Sequence, residues 1–443
     1  MRHSLILGLA VFAIGTLSAC DSFVEDVDQP IDRVDSDSLD QQREIDFLIT
    51  GLKEGFNDAY DNVATISELL SDNAIFNTRV RNSTFPTYGQ VDAAEIEFDN
   101  NTVDGVSTAV NEYRFLSDDL LRRIENTIEF SDDDAGAAAE QRARFAANYH
   151  GAVARYFLAT YFSEDGQNGG APISTERDTP GPVIPAADLY QQAQDKLALA
   201  VDGAPSAFEA QVANSLRARI ALLQGDRAQA AAFAAEGLTE GDAPDCEVSG
   251  INLNVACYNA ASQNNWFSQG GRGRTQISIN PLFADLDAID NRDLVETAPN
   301  ASGADGNTYY RQGLYTENDA DLPFLTWQEM ALIQAENALL GDGDEDAAKA
   351  FVNPVLVSRS ALENPEEAAL GDGESFDQGA LIDLRRRELF TQGLRLVDQR
   401  RFGIPFTRIT YPQASGDPVE TTVDGAFRYL PLTQTERNAN PNF

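Results

Sequence analysis

Apolar positions in residues 211–238, QVANSLRARIALLQGDRAQAAAFAAEGL, recur at helical spacing in two blocks. Val212, Leu216, Ile220 and Leu223 share one face of the first block, and Ala230, Phe233, Ala234 and Leu238 share one face of the second. Gly225 ends the first helix because glycine tolerates the left-handed conformation that follows a helix terminus. Asp226 is placed to cap the second. Such a hairpin cannot bury its apolar face alone and needs neighbours of the same kind. Residues 333–355, IQAENALLGDGDEDAAKAFVNPV, repeat the pattern of alanines, a Leu-Leu pair, Gly-Asp and a second Ala-rich helix. The repetition predicts a solenoid of tetratricopeptide-like helical pairs. Two unrelated Ala-rich hairpins in an ordinary helical domain would give the same local pattern.

The same period predicts helices over 42–70, with Ile45, Leu48, Leu52 and Phe56 in one stripe, over 103–130, over 141–162 and over 185–201. In the third of these Phe145, Tyr149, Ala152, Tyr156 and Ala159 lie on one face, and Asp132, Asp133 and Asp134 precede it as solvated capping residues. Helices resume at Pro323, and 376–402 reads as one long helix with Ile382, Leu389 and Leu396 a heptad apart. Residues 77–101, the Gly/Pro loop 166–182 and the Pro/Asn-rich tail 403–443 are irregular. Residues 241–322 form the longest stretch without helical period. An insertion of that size is functional or carries small elements of its own.

Charge narrows the partners. The chain has 71 acidic and 32 basic residues, a net charge of −39, and its only lysines are Lys53, Lys196 and Lys349. Nucleic acid and anionic lipid headgroups are disfavoured by repulsion. A lysine-poor acidic surface fits a halophilic protein, because salt screens the self-repulsion; an acidic exported protein is the alternative.

The N-terminus predicts export. Arg2 and His3 precede an apolar run from Leu5 to Ile14 and then Leu17-Ser18-Ala19-Cys20. This is a charged region, a short apolar core and small residues at a cleavage point. The Leu-Ser-Ala-Cys ending resembles a bacterial lipobox, which implies a signal peptide over 1–19 and a lipidated Cys20; the alternative is a plain secretory signal with a chance cysteine. Acidic residues 21–41 suit a flexible tether, so that 20–41 is a lipidated tether and 42–443 the single domain, with 241–322 as its insertion. Export also permits a disulfide between Cys246 and Cys257, two free thiols being the other reading.

Little catalytic chemistry is available. Cleavage leaves His150 as the only histidine, which excludes a multi-histidine metal site and disfavours a Ser-His-Asp triad. There is no GxSxG, HExxH or P-loop pattern. Asp342, Asp344 and Asp346 alternate like calcium ligands, but Ala347 stands where the calcium loop needs glycine, so they read as a helix-connecting turn. Paired carboxylates for glycoside hydrolysis are uninformative among so many acids. No cofactor or metal is expected, and the protein is not expected to be an enzyme.

Seven segments in order resemble the RagB/SusD family of outer-membrane nutrient-binding lipoproteins. They are the lipobox at Cys20; HGAVARYFLATYF at 150–162 with Ala171-Pro172-Ile173 after it; LRARIALLQGDRAQA at 216–230; Asp290-Asn291-Arg292; LTWQEMALIQAENALL at 325–340; LIDLRRRELFTQGLRLVDQRRFG at 381–403; and LPLTQTERNANPNF at 430–443. Two positions depart from the pattern: Leu384 and Gln392 stand where the family often carries an acid. Glu329, Glu336, Arg387, Glu388, Arg395 and Asp398 are read as buried or half-buried pairs between helices. The resemblance implies a mostly α, SusD-like fold: a tetratricopeptide-like helical-pair scaffold with loop-rich insertions forming a ligand face. It implies a lipid-anchored position on the outer-membrane surface, a nutrient ligand, usually an oligosaccharide, and a TonB-dependent (SusC-like) β-barrel transporter as partner.

A sugar offers apolar C–H faces to aromatic rings and hydroxyls to amides and charged groups. Two stretches supply both. One holds Phe85 and Tyr88, beside Arg81 and Asn82. The other holds Asn265, Trp266, Phe267, Arg272 and Arg274, with Tyr309 and Tyr310 farther on. Aromatics that merely pin the insertion to the scaffold are the alternative. The Gly-Arg run would suit an acidic sugar or carboxylate. Trp327 is read as core. The competing functions are a helical-repeat adaptor for envelope proteins and a surface hydrolase.

Overall fold

The computed structural model describes residues 36–76, 83–162, 169–174, 179–242, 246, 253–259, 263–270, 272–298, 307–411, 417–423 and 427–442. Cys20, the lipobox, Arg81 and Asn82 lie outside the described residues. The last residues of the expected tether do not hang free: Ser36–Leu39 form a 3-10 turn, and Arg123 Nη1 donates to Ser36 O at 3.0 Å and to Asp40 at 2.6 Å.

Four long helices form the first half of the scaffold. They are α1 (Ile45–Leu70), then, after the short α2 (Pro86–Asp92), α3 (Asn101–Asn126), α4 (Asp134–Tyr161) and α5 (Ala186–Asp202). Each begins where a side chain meets its orphan N–H groups or burial sets the start. Asn100 accepts from the Thr102 and Val103 amides, and Asp133 accepts from Gly136 N at 2.8 Å, so α4 starts seven residues before the expected position. The aromatic stripe of α4 is fully buried, as is His150. Burial pushes the His150 imidazole down to about 3, and its Nδ1 meets Tyr113 Oη at 2.6 Å, a core histidine.

The two predicted hairpins follow, and they are neighbours. α6 (Ala207–Leu223) ends at Gly225, φ +85°, and Asp226 caps α7 (Arg227–Ala235) through Gln229 N at 2.9 Å. After two short helices in the insertion, α8 (Asn265–Gln269) and α9 (Leu282–Asp287), comes α10 (Trp327–Glu336) with a π-helical turn over Asn337–Asp342; Gly343 at φ +71° reverses the chain, and Asp344 caps α11 (Glu345–Arg359). The acidic triplet is a connecting turn. α7 packs on α10, so helices α4 to α7, α10 and α11 make one continuous stack of pairs.

The expected single helix 376–402 is two: α12 (Gln378–Glu388) and α13 (Arg395–Phe402), before a last short α14 (Gln434–Ala439). Thr391 and Gly393 between them take positive φ, +73° and +78°. A Cβ on Gly393 would stand 3.0 Å from Ala64 Cα, so the turn is pressed against α1 where no continuous helix fits. The arginines and acids of this region bind helix to helix. Arg219 on α6 meets Glu329 on α10 at 2.7 Å, Arg401 meets Glu336 at 2.8 Å, Arg385 meets Asp398 at 2.8 Å, Arg395 meets Asp72 at 2.6 Å and Arg359 meets Glu388 at 2.8 Å.

Small sheets accompany the helices, some of them built by the insertion. Strand β1 (Ala74–Ile75), β5 (Ser278–Ile279), β7 (Tyr310–Gln312) and β6 (Val295–Thr297) form one antiparallel sheet in that order, β2 (Gly170–Pro172) pairs β3 (Val183–Pro185), and β4 (Val255–Ala256) pairs β8 (Leu322–Pro323). A final hairpin, β9 (Thr407–Thr410) with β10 (Val419–Thr422), stands beside α2. Cys246 and Cys257 are bridged. Among the described residues no helix is long and apolar enough to cross a membrane.

Candidate functional site

A cleft of about 500 Å³ opens between the segment leading into α2 and strand β9; Ile75, Phe76, Thr84, Pro86, Arg408 and Tyr411 are on its walls. Its construction explains the local sequence. Pro86 occupies the first turn of α2, where a missing N–H costs nothing. Gly89 faces Phe76 so closely that a Cβ would approach the ring to 3.0 Å. The segment 84–86 is carried by the insertion, because Gln276 Oε1, just before β5, accepts from the Thr84 and Phe85 amides at 3.0 Å each.

The cleft unites stretches that are far apart in sequence. The Arg274 guanidinium lies 5.0 Å from the Phe85 ring centroid, within cation–π range. Phe85 remains 36% exposed. Across the cleft Arg408 Nε donates to Asp92 Oδ2 at 2.9 Å. Burial pushes the Asp92 carboxyl up to about 7, with Arg408 opposing. Tyr411 packs against Tyr309 with the rings tilted, 4.5 Å between centroids, and its hydroxyl finds no partner among the described residues. Beside this wall Arg272 and Arg311 both pair with Glu296, the second at 3.0 Å.

Several residues read from sequence as ligand-facing are elsewhere. Trp266 is 0% exposed, its Nε1 donating to Thr391 O at 3.0 Å; it pins α8 to the turn between α12 and α13 and presents no face to a ligand. Tyr309 is equally buried, under Tyr411. Tyr88 is buried with its ring 6.1 Å from Phe85, and burial pushes its hydroxyl up to about 12. Asn265 and Phe267 are half-buried on α8, the Asn265 amide donating to Asp61 at 3.0 Å. Tyr310 is half-buried on β7. None of the predicted set is on the cleft walls; Phe85 stands between the lining residues Thr84 and Pro86 with Arg274 over its ring, and Arg272 pairs with Glu296. Arg408, Thr410 and Tyr411 were hidden in the tail; the only hint was the β-prone run Phe406-Thr407-Arg408-Ile409-Thr410-Tyr411. Trp327 is half-buried against the main core.

A second hollow, about 530 Å³, lies at the tips of the two hairpins between Gln224, Arg227, Asn337 and Asp342. It has no aromatic wall. Among the described residues one group of ligating side chains is close enough to share an ion, Cys246, Cys257 and Asp321, and the disulfide occupies both sulfurs.

No protein-family model and no curated protein sequence matches the chain. Solved structures match along nearly its whole length. A SusD superfamily protein from Bacteroides thetaiotaomicron superposes with a TM-score of 0.72 at 15% identity, covering 91% of this chain and 98% of that one. A SusD-like carbohydrate binding protein from Bacteroides vulgatus gives 0.66 at 17% identity, with 91% and 97% covered. A laminarin binding SusD-like protein gives 0.64 at 16% identity, with 91% and 99% covered. The stacked helical pairs, the small sheets inserted between them and these superpositions together identify the architecture: the chain has the fold of the SusD superfamily.

Proposed function

We propose that the protein is a non-catalytic glycan-binding lipoprotein that captures an oligosaccharide at the cleft between α2 and β9 and passes it to a TonB-dependent outer-membrane transporter. The observation that carries the reading is the cleft itself. The hollow is walled by Phe76, Tyr411, the Arg408 guanidinium and the hydroxyl residues Ser83, Thr84 and Thr410, with the exposed Phe85 next in sequence to the lining residues Thr84 and Pro86. Rings beside a cation and hydroxyls are the combination that grips a sugar's apolar face and its rim of hydroxyls. The carbohydrate-binding neighbours of this fold support it. Anchoring follows from the lipobox at Cys20, and surface exposure from the need to meet a ligand outside the cell.

Two experiments test the two halves. Titration of the detergent-solubilised protein with oligosaccharides should give saturable binding that Phe85→Ala weakens by about tenfold, the scale of one lost stacking contact; binding unaffected by Phe85→Ala removes the cleft from the account. Capture through a C-terminal tag from solubilised membranes should recover a large β-barrel in near-equal amount. Recovery of the folded, anchored protein without a barrel, alongside other envelope proteins, would favour a helical-repeat adaptor.

A further inference from the structure

A chain with 71 acidic and 32 basic residues presents a negative surface on average. Arg408 on the cleft wall and Arg274 over Phe85 run against that sign. Arg274 is exposed and rests on Phe85, and no carboxylate among the described residues pairs with it. Arg408 is 36% exposed and held through Nε alone, so both terminal nitrogens lack a partner among the described residues. Two buried acids lie near this segment, Asp61 and Asp92, the second paired with Arg408. Burial pushes Asp61 well above the usual carboxylate range, with Asp58 adding to it, and pushes Asp92 up to about 7.

The geometry of Arg408 matters as much as its charge. Asp92 grips Nε from inside the fold, which fixes the plane of the guanidinium and leaves the Nη1 and Nη2 edge for a ligand. That edge matches two oxygens of a carboxylate or a sulfate in a bidentate contact. A neutral sugar gains nothing comparable from an arginine so prepared, because its hydroxyls carry no charge to pair. Arg274 meets the same segment, its guanidinium over Phe85 while Thr84 and Pro86 on either side of that residue line the cleft with Arg408.

Resting on the glycan reading above, we infer that the cleft selects anionic oligosaccharides, whose carboxylate or sulfate group is held by Arg408, with Arg274 over Phe85 adding positive charge at the neighbouring segment. In a protein of this net charge an anionic ligand is repelled at long range. Salt screens that long-range repulsion.

The test is calorimetric titration of the full-length protein in detergent with four probes: an oligogalacturonate, its methyl ester, a sulfated galactan oligosaccharide and a laminarin oligosaccharide. At least one of the two charged probes should bind ten- to a hundredfold more tightly than the methyl ester and the laminarin fragment, the range expected of a charge-assisted hydrogen bond. Which charged probe binds separates carboxylate from sulfate. Arg408→Gln should remove about tenfold for the charged probe and less than about twofold for the neutral ones, and Arg274→Gln a smaller share of the charged probe's affinity. Arg408→Lys, which keeps the charge and loses the fork, should fall between parent and Arg408→Gln. Neutral probes that bind as well as or better than charged ones, or variants that weaken all four alike, overturn the charge selectivity and leave glycan binding standing. Binding of none of the four, with the melting curve intact, overturns both.

Discussion

Trp266→Ala separates scaffold from ligand face. The indole is fully buried, packed on Phe390 with ring centroids 6.4 Å apart, and bonded through Nε1 to Thr391 O. Truncating a buried tryptophan costs about 3–5 kcal/mol as transfer and cavity terms combine. Unfolding entropy near 2.1 cal/mol/K per residue over roughly 400 folded residues is about 0.8 kcal/mol/K, so a loss of about 4 kcal/mol lowers Tm by about 5 °C. Trp266→Phe keeps a ring against Phe390 but loses the hydrogen bond and part of the packing; about 2 kcal/mol, or 2–3 °C, is expected. Scanning calorimetry reads both. Fluorescence reports on the same site, because the chain has two tryptophans and the other, Trp327, is half-buried. Glycan affinity of the folded variants should stay within about twofold of the parent. A Trp266→Ala protein that melts like the parent yet loses tenfold in affinity would refute the burial argument and return Trp266 to the ligand face.

Other consequences follow from the same contacts. Arg219→Met strands Glu329, 1% exposed, in the core and should cost about 3–5 kcal/mol, whereas Arg219→Met/Glu329→Met should recover much of that in a double-mutant cycle; equal losses in single and double variants would contradict it. Asp92 titrates near 7 in the fold against an unfolded value near 4, so the folded state binds the extra proton and this group's stabilisation, complete below pH about 4, is lost as pH rises to about 7. Asp92→Asn should flatten that stretch of the Tm–pH curve, and an unchanged slope would show that Asp92 does not cause it. For a net charge of −39, Tm should rise steadily with salt as repulsion is screened; a melting curve that ignores salt would remove the halophilic reading.

How far the sequence spoke depended on how local each signal was. Period, Gly225 and Asp226 lie within one hairpin, so the helical pairs were readable, and the Leu-Leu, Gly-Asp echo at 333–355 gave their repetition. The interhelical pairs of Glu329, Glu336 and Asp398 came with the family pattern. The break between α12 and α13 was not readable, because Ile382, Leu389 and Leu396 keep helical spacing through it; the cause is the contact of Gly393 with α1, more than 300 positions away. The cleft was half legible. Phe85 and Arg274 stood out as an aromatic and a cation in irregular segments. Only the sheet, assembled from strands at 74–75, 278–279, 295–297 and 310–312, brings them together, and strands of two or three residues leave no period to detect. Trp266 carried the opposite lesson: an aromatic beside asparagines looks the same in sequence whether it faces a sugar or plugs a core.

The most direct test of the central claim is a crystal structure with an oligosaccharide that binds in titration. The account places the sugar between α2 and β9, against Phe85 and within hydrogen-bond reach of Arg408. A sugar seated at the hairpin tips by Arg227 and Asn337, or anywhere else with the α2–β9 cleft empty, would contradict it.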